Sequence, residues 1–313
     1  MRARKLLLLD VALLALMVLA SRLALLIHEL GGHALPAWIF GAGRITIRLS
    51  MLGGGYVDWA GDLHGWRGVV ASLGGIFLNL ATGAGAWGLS RRLDRARPAS
   101  AFLLMAGAGS VAGAIVYLAN GFYYGSGDPT GFAPETGDLS RAHWAWVLFL
   151  PAAFGVSRLA CRHLLDFLSC HVTMGRPAAR VGGFLATAGV AGLAYGALWL
   201  ALRDSEKEGS TREWRIQEEV ARETERRAAA PPPPTEAAPA PPLRTIVVRA
   251  EEVKDRVPSP WGPCVLYGAF ALGGLLGLWK ARPAGPEADL DPAAPADLAL
   301  LAAVVAVAFR FLG

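Results

Sequence analysis

Residues 24–41 read A-L-L-I-H-E-L-G-G-H-A-L-P-A-W-I-F-G, two histidines and a glutamate inside an apolar run. Ionisable side chains at bilayer depth are costly, face a polar interior and mark function. His28, Glu29 and His33 are therefore the candidate site around which the rest of the chain is read. At about 100° per residue, an i, i+5 pair on a regular α-helix points roughly 140° apart, whereas an i, i+4 pair differs by about 40°. Two histidines five residues apart cannot meet on a straight helix. A π-bulge closes the gap, and Gly31-Gly32 is where one meets least side-chain resistance. The spacing predicts a departure from α geometry between Glu29 and His33.

The pattern is one residue longer than the zinc-hydrolase H-E-x-x-H, in which two histidines hold the metal and the glutamate acts as base. The six-residue zinc motif of dipeptidyl peptidase III resembles it and shows that the longer spacing can bind zinc. The plain alternative is an interfacial His33 beside a buried His28–Glu29 polar pair.

Of 313 residues, 54% are hydrophobic and 18% charged, a composition of polytopic membrane proteins and not of globular domains. The net charge of +5 sits in arginines at segment ends, which reads as membrane topology. No basic patch with interleaved aromatics is present, so nucleic acid is not an expected partner; the lipid bilayer is. Cys161, Cys170 and Cys264 have no C-x-x-C spacing and read as small apolar fillers.

Leu6 to Phe40 is too long for a signal-peptide core and reads as one tilted, uncleaved transmembrane helix. Arg44 to Trp59 alternates polar and apolar residues around a triple glycine, as a short hairpin does. Further spans are expected at Trp66–Leu89, Ala99–Tyr123, Trp144–Leu165, Gly182–Leu200, Pro263–Trp279 and Leu298–Leu312. Arg203 to Arg227 is charged, Pro231 to Pro242 is a proline-alanine spacer, and Leu243 to Val253 alternates like a strand. The positive-inside rule puts the N-terminus, Arg91–Arg97 and Arg176–Arg180 in the cytoplasm and the hairpin with the Asp128 loop on the other side; if Leu6–Phe40 bends near Ser21-Arg22 and crosses as two short segments, everything downstream inverts. The fold class is an all-α polytopic membrane protein of six to seven transmembrane helices, with a small β-hairpin after the motif helix.

With these segments placed, residues 6–138 resemble the site-2 protease family of intramembrane zinc metalloproteases. His28-Glu29-Leu30-Gly31-Gly32-His33 stands for its H-E-x-G-H with one residue inserted, an H-E-x-x-x-H variant. Gly54-Gly55-Tyr56-Val57 matches its glycine-rich hairpin, and Gly74-Gly75-Ile76-Phe77-Leu78-Asn79 its A-G-P-x-x-N. Asn120 and Asp128 keep the separation of the asparagine and aspartate in N-x-x-P-x-x-x-L-D-G. The resemblance implies a metalloprotease core at 1–138; beyond it the apolar and charged runs read as two additional transmembrane helices at 139–202, a charged and proline-rich extramembrane segment at 203–261, and a C-terminal transmembrane hairpin at 262–313.

It further implies an intramembrane zinc endopeptidase of the cell membrane, a multi-pass protein cutting a membrane-anchored protein substrate. His28, His33 and Asp128 would hold Zn2+, Glu29 would be the catalytic base, and Asn79 and Asn120 would orient substrate or stabilise an oxyanion. For Asp128 the alternative is a turn residue in G-S-G-D-P-T-G, and His64 is a competing third ligand. His143, His163 and His171 read as interfacial. Two other functions stay open: a transporter or metal-handling membrane protein, which an inverted repeat would favour, and an inactive homologue serving as a scaffold.

Overall fold

No glycine or proline interrupts the chain before Gly31, and the leucine-rich sequence forms helix α1, Arg2–Leu26. The helix continues without a break through a π segment, Ile27–Ala34, into α2, Leu35–Ile39. This computed structural model describes residues 2–49, 54–61, 63–125, 127–133, 139–172, 176–201 and 261–279, with 298–299, 301–303 and 305. The expected strand at 243–253, nearly all of the expected extramembrane segment at 203–261, and most of the seventh span lie outside the described residues.

The hairpin follows, β1 at Ile45–Leu49 and β2 at Gly55–Trp59, antiparallel with Ile47 opposite Val57. Helix α3 spans Trp66–Ser90 and α4 spans Pro98–Tyr124. A 3-10 turn at Asp128–Phe132 and a longer 3-10 stretch at Ser140–Leu148 lead into α5, Phe149–His171. Next come α6, Pro177–Phe184, a second π segment, Leu185–Gly189, and α7, residues 190–201. Helix α8 is Trp261–Trp279.

Among the described residues, six helical stretches are long and apolar enough to cross a membrane, the first of 36 residues from Arg4 to Ile39. At 1.5 Å per residue, that stretch exceeds the ~30 Å hydrocarbon core and must tilt or overhang. Side chains such as Trp38, Leu148 and Leu193, each more than two-thirds exposed, would be costly in water and suit lipid. The fourth and fifth spans extend beyond the expected limits, to Arg141–His171 and Pro177–Ala201.

Lipid tails are as apolar as leucine, so helices in a bilayer associate through close packing at small residues. Helices α3 and α4 meet where Gly83 faces Gly107, and a methyl group on Gly83 would come 3.0 Å from the Gly107 carbonyl. Gly273 and Gly277, one turn apart on α8, press on the Phe154 and Arg158 carbonyls of α5. Leu9, Leu13 and Leu16 of α1 complete a buried cluster with Leu165 and Leu168 of α5 and Leu278 of α8. Gly277→Leu is expected to lower stability by about 1–3 kcal/mol, the cost of overpacking. Gly268→Leu, whose position has open space, is the control, and melting in detergent is the measurement.

Candidate metal centre

The inserted residue of the histidine motif is absorbed by eight residues of π-helix, Ile27–Ala34, where the sequence asks for a single bulge. Leu35 N–H donates to the Leu30 carbonyl, the i→i−5 bond of a π turn. Pro36 favours this geometry because it lacks the N–H that α bonding would direct to Gly32. Wider turns bring His28 and His33 onto one face, with their Nε2 atoms 3.1 Å apart. The π turn also needs glycine where it meets α3. A methyl group on Gly32 would land inside the backbone of Gly75.

Helix α4 ends at Gly125, in the left-handed region at φ +65°, and the chain turns back toward α3. Gly127, at φ +76°, sets the entry to the 3-10 turn, and Gly131 packs on Ser72 and Leu73. This turn carries Asp128 to the two histidines. Its Oδ2 lies 3.2 Å from His28 Nε2 and 3.1 Å from His33 Nε2. Asp128 is thus both a turn residue and a member of the triad. His64 lies elsewhere, in a small cavity with Phe40 and Arg67.

The chemistry of these atoms can be tested against a metal. His33 Nδ1–H donates to the Ala71 carbonyl at 2.6 Å, which leaves a lone pair on Nε2. His28 Nδ1 lies 3.2 Å from the Asn79 carboxamide. If that carboxamide turns its oxygen to His28, it accepts from Nδ1–H, and the oxygen gains a partner it otherwise lacks in its buried position. Both histidines then offer Nε2 lone pairs to the point the Asp128 oxygen faces. Three electron-pair donors within 3.2 Å repel one another unless a cation lies among them. Tetrahedral bonds of about 2.0–2.1 Å put ligand atoms about 3.3–3.4 Å apart, close to these separations. The three residues could together hold a metal ion.

Burial pushes the Asp128 carboxyl up, but when no cation lies among the three groups and the histidines carry protons on Nε2, their hydrogen bonds outweigh it and hold it down to about 2. It is ionised throughout the neutral range, as a ligand must be. Tyr117 on α4 donates its hydroxyl to Asp128 Oδ1 at 3.4 Å. The sequence alone does not single out Tyr117; its position on the helix that leads into Asp128 is the available signal.

Glu29 is 4% exposed and sits against the hairpin, where a methyl group on Gly55 would come 3.1 Å from its Oε1. Glu29, the triad and β2 share a cavity of about 890 Å³. Its other walls come from α1, α4 and the helix after Pro177, through Arg22, Tyr117 and Tyr195.

The two asparagines are placed differently. Asn79 lines the cavity, with its carboxamide nitrogen 3.2 Å from Nδ1 of His28. Asn120 does not line the cavity at all; it lies one turn past Tyr117, about 4.5 Å further along α4. Asn79→Ala is expected to weaken metal binding about ten- to hundredfold, as loss of an outer partner of a metal-binding histidine does. Competition with a chromogenic chelator reads it directly.

Compared with family models, with curated proteins and with solved structures, the chain gives no match.

Proposed function

We propose that this chain is an intramembrane zinc endopeptidase of the site-2 protease type, a multi-pass protein of the cell membrane that cuts a membrane-anchored protein. The observation that carries the reading is the convergence of His28, His33 and Asp128 within 3.2 Å, beside a buried glutamate, among helices of membrane length. A zinc ion bound there would lower the pKa of a water and polarise a carbonyl oxygen.

The chain's own residues supply the remainder. Glu29, enclosed against Gly55, takes the proton of the attacking water and returns it to the leaving nitrogen. Asn79 and the Ala71 carbonyl hold the outer nitrogens of His28 and His33, and Tyr117 holds the free oxygen of Asp128. A peptide bond in a transmembrane helix is shielded by its own hydrogen bonds and must be unwound to react. Among the described residues β1 is the sole strand paired with β2, and Gly55, Tyr56 and Val57 line the cavity. An unwound segment added to β2 as a strand would lie across the reacting groups.

The test is reconstitution in liposomes with a library of membrane-anchored reporters. Cleavage that a zinc chelator abolishes and zinc restores supports the protease. Stoichiometric zinc without cleavage of any reporter favours the scaffold, and zinc flux across the vesicle wall favours the transporter.

A further inference from the structure

A second cavity, of about 570 Å³, opens between α3, α4 and α5. It lies at the other end of these helices from the metal centre. Arg91 is 16 residues beyond Gly75 along α3, about 24 Å at 1.5 Å per residue. Leu104 is a shared wall of the two cavities.

Its lining is of a different kind. Arg91, Arg95, Arg162 and His163 line it with one carboxylate, Asp166. That carboxylate is already engaged, 3.6 Å from Arg95. No carboxylate among the described residues pairs with Arg91 or Arg162, and both are exposed. Trp87 Nε1–H donates to His163 Nδ1 at 2.9 Å. Indole is a donor only, so His163 accepts there and, when neutral, carries its own proton on Nε2 as a further donor. Ser100, in the first turn of α4, adds the positive end of a helix dipole. Cationic and hydrogen-bond donors therefore converge with an unbalanced positive charge, at the level where α3 ends and α4 begins.

We propose that this cleft binds the phosphate group of an anionic phospholipid. Two guanidinium groups without a carboxylate partner among the described residues match phosphate oxygens in bidentate fashion. Basic pockets between transmembrane helices at the membrane surface hold lipid headgroups. The depth fits as well, because Leu159, half exposed and one turn before Arg162 on α5, offers an acyl chain an apolar surface beside the charges. The site is independent of the proteolytic reading and is tested without it.

The full-length protein is reconstituted in phosphatidylcholine vesicles with or without phosphatidylglycerol, extracted, and assayed for bound lipid by native mass spectrometry. Wild type is expected to retain phosphatidylglycerol selectively. Arg91→Ala and Arg162→Ala are each expected to lower its retention about tenfold, the size of one charge-assisted hydrogen bond. Both side chains are exposed, so truncation removes no core packing. Arg92→Ala, in the same loop but outside the cleft, removes the same charge and is expected to retain the lipid. Equal loss in all three variants would reduce the effect to loop charge and overturn the proposal, as would equal retention in all three. Inorganic phosphate is the second arm: displacement of bound phosphatidylglycerol by phosphate supports headgroup recognition. Saturation by phosphate with no lipid retained from any vesicle would overturn it in favour of a soluble ligand.

Discussion

Glu29→Gln is expected to lower cleavage of a membrane-anchored reporter by at least about a hundredfold, the lower range of what a positioned general base contributes. Bound zinc is expected to stay close to the wild-type level. The two readouts separate because Glu29 is outside the set of three ligand atoms that face one another, and its side chain is instead directed to the hairpin at Gly55. Glutamine keeps the size and much of the hydrogen bonding of glutamate in that buried position, so packing is conserved and only proton acceptance is lost. His28→Ala removes a ligand atom and should lose zinc and cleavage together. Cleavage is followed by gel shift of a tagged reporter in liposomes, and zinc by mass spectrometry of the purified protein. A glutamine variant that cuts at near the wild-type rate would show that the carboxylate is not the base, and the hydrolytic reading would fall with it.

The candidate site and the fold were legible in the sequence to different depths. Helix spans were readable because lipid imposes long apolar runs, and the hairpin because glycine and alternation mark it. The π segment was readable for a geometric reason: an i, i+5 histidine pair makes sense only if the helix is underwound, and Ile27–Ala34 is. Its eight-residue length was not readable, since nothing in the sequence says how many neighbours share the distortion. The asparagines show the opposite limit. Asn79 and Asn120 were both plausible as substrate contacts because each is a polar group at membrane depth, but their roles depend on axial height along α3 and α4. Asn79 is level with His28, whereas Asn120 is a turn too far. The contact of Tyr117 and the gathering of arginines near His163 depended on the same unseen heights. Sequence spacing gives direction around a helix well; the level at which two helices meet comes from packing at Gly32 and Gly75, which appears only in three dimensions.

That packing supplies the last expected result. Gly75→Ala should lower zinc affinity more than about a hundredfold and abolish cleavage, although Gly75 touches no metal. A methyl group at Gly75 would stand 2.5 Å from His33 Nε2 and 2.7–2.8 Å from Cε1 and Nε2 of His28, where the ligand atoms themselves must sit. Neither ring has room to retreat. His33 is held from behind by the Ala71 carbonyl and His28 by Asn79, so moving either ring breaks the contact that fixes its tautomer. Separating the helices would give up the close backbone packing of Gly32 on Gly75. Alanine is otherwise the better helix former by about 1 kcal/mol, so the variant should lose function without any loss of helical propensity. Gly85→Ala and Gly88→Ala lie further along α3, with nothing within 4 Å of the added methyl, and should bind zinc as wild type does. Zinc content and chelator competition on the three purified variants decide the matter. Full zinc occupancy in Gly75→Ala would mean that the two histidines do not hold the metal from the face that α3 presents.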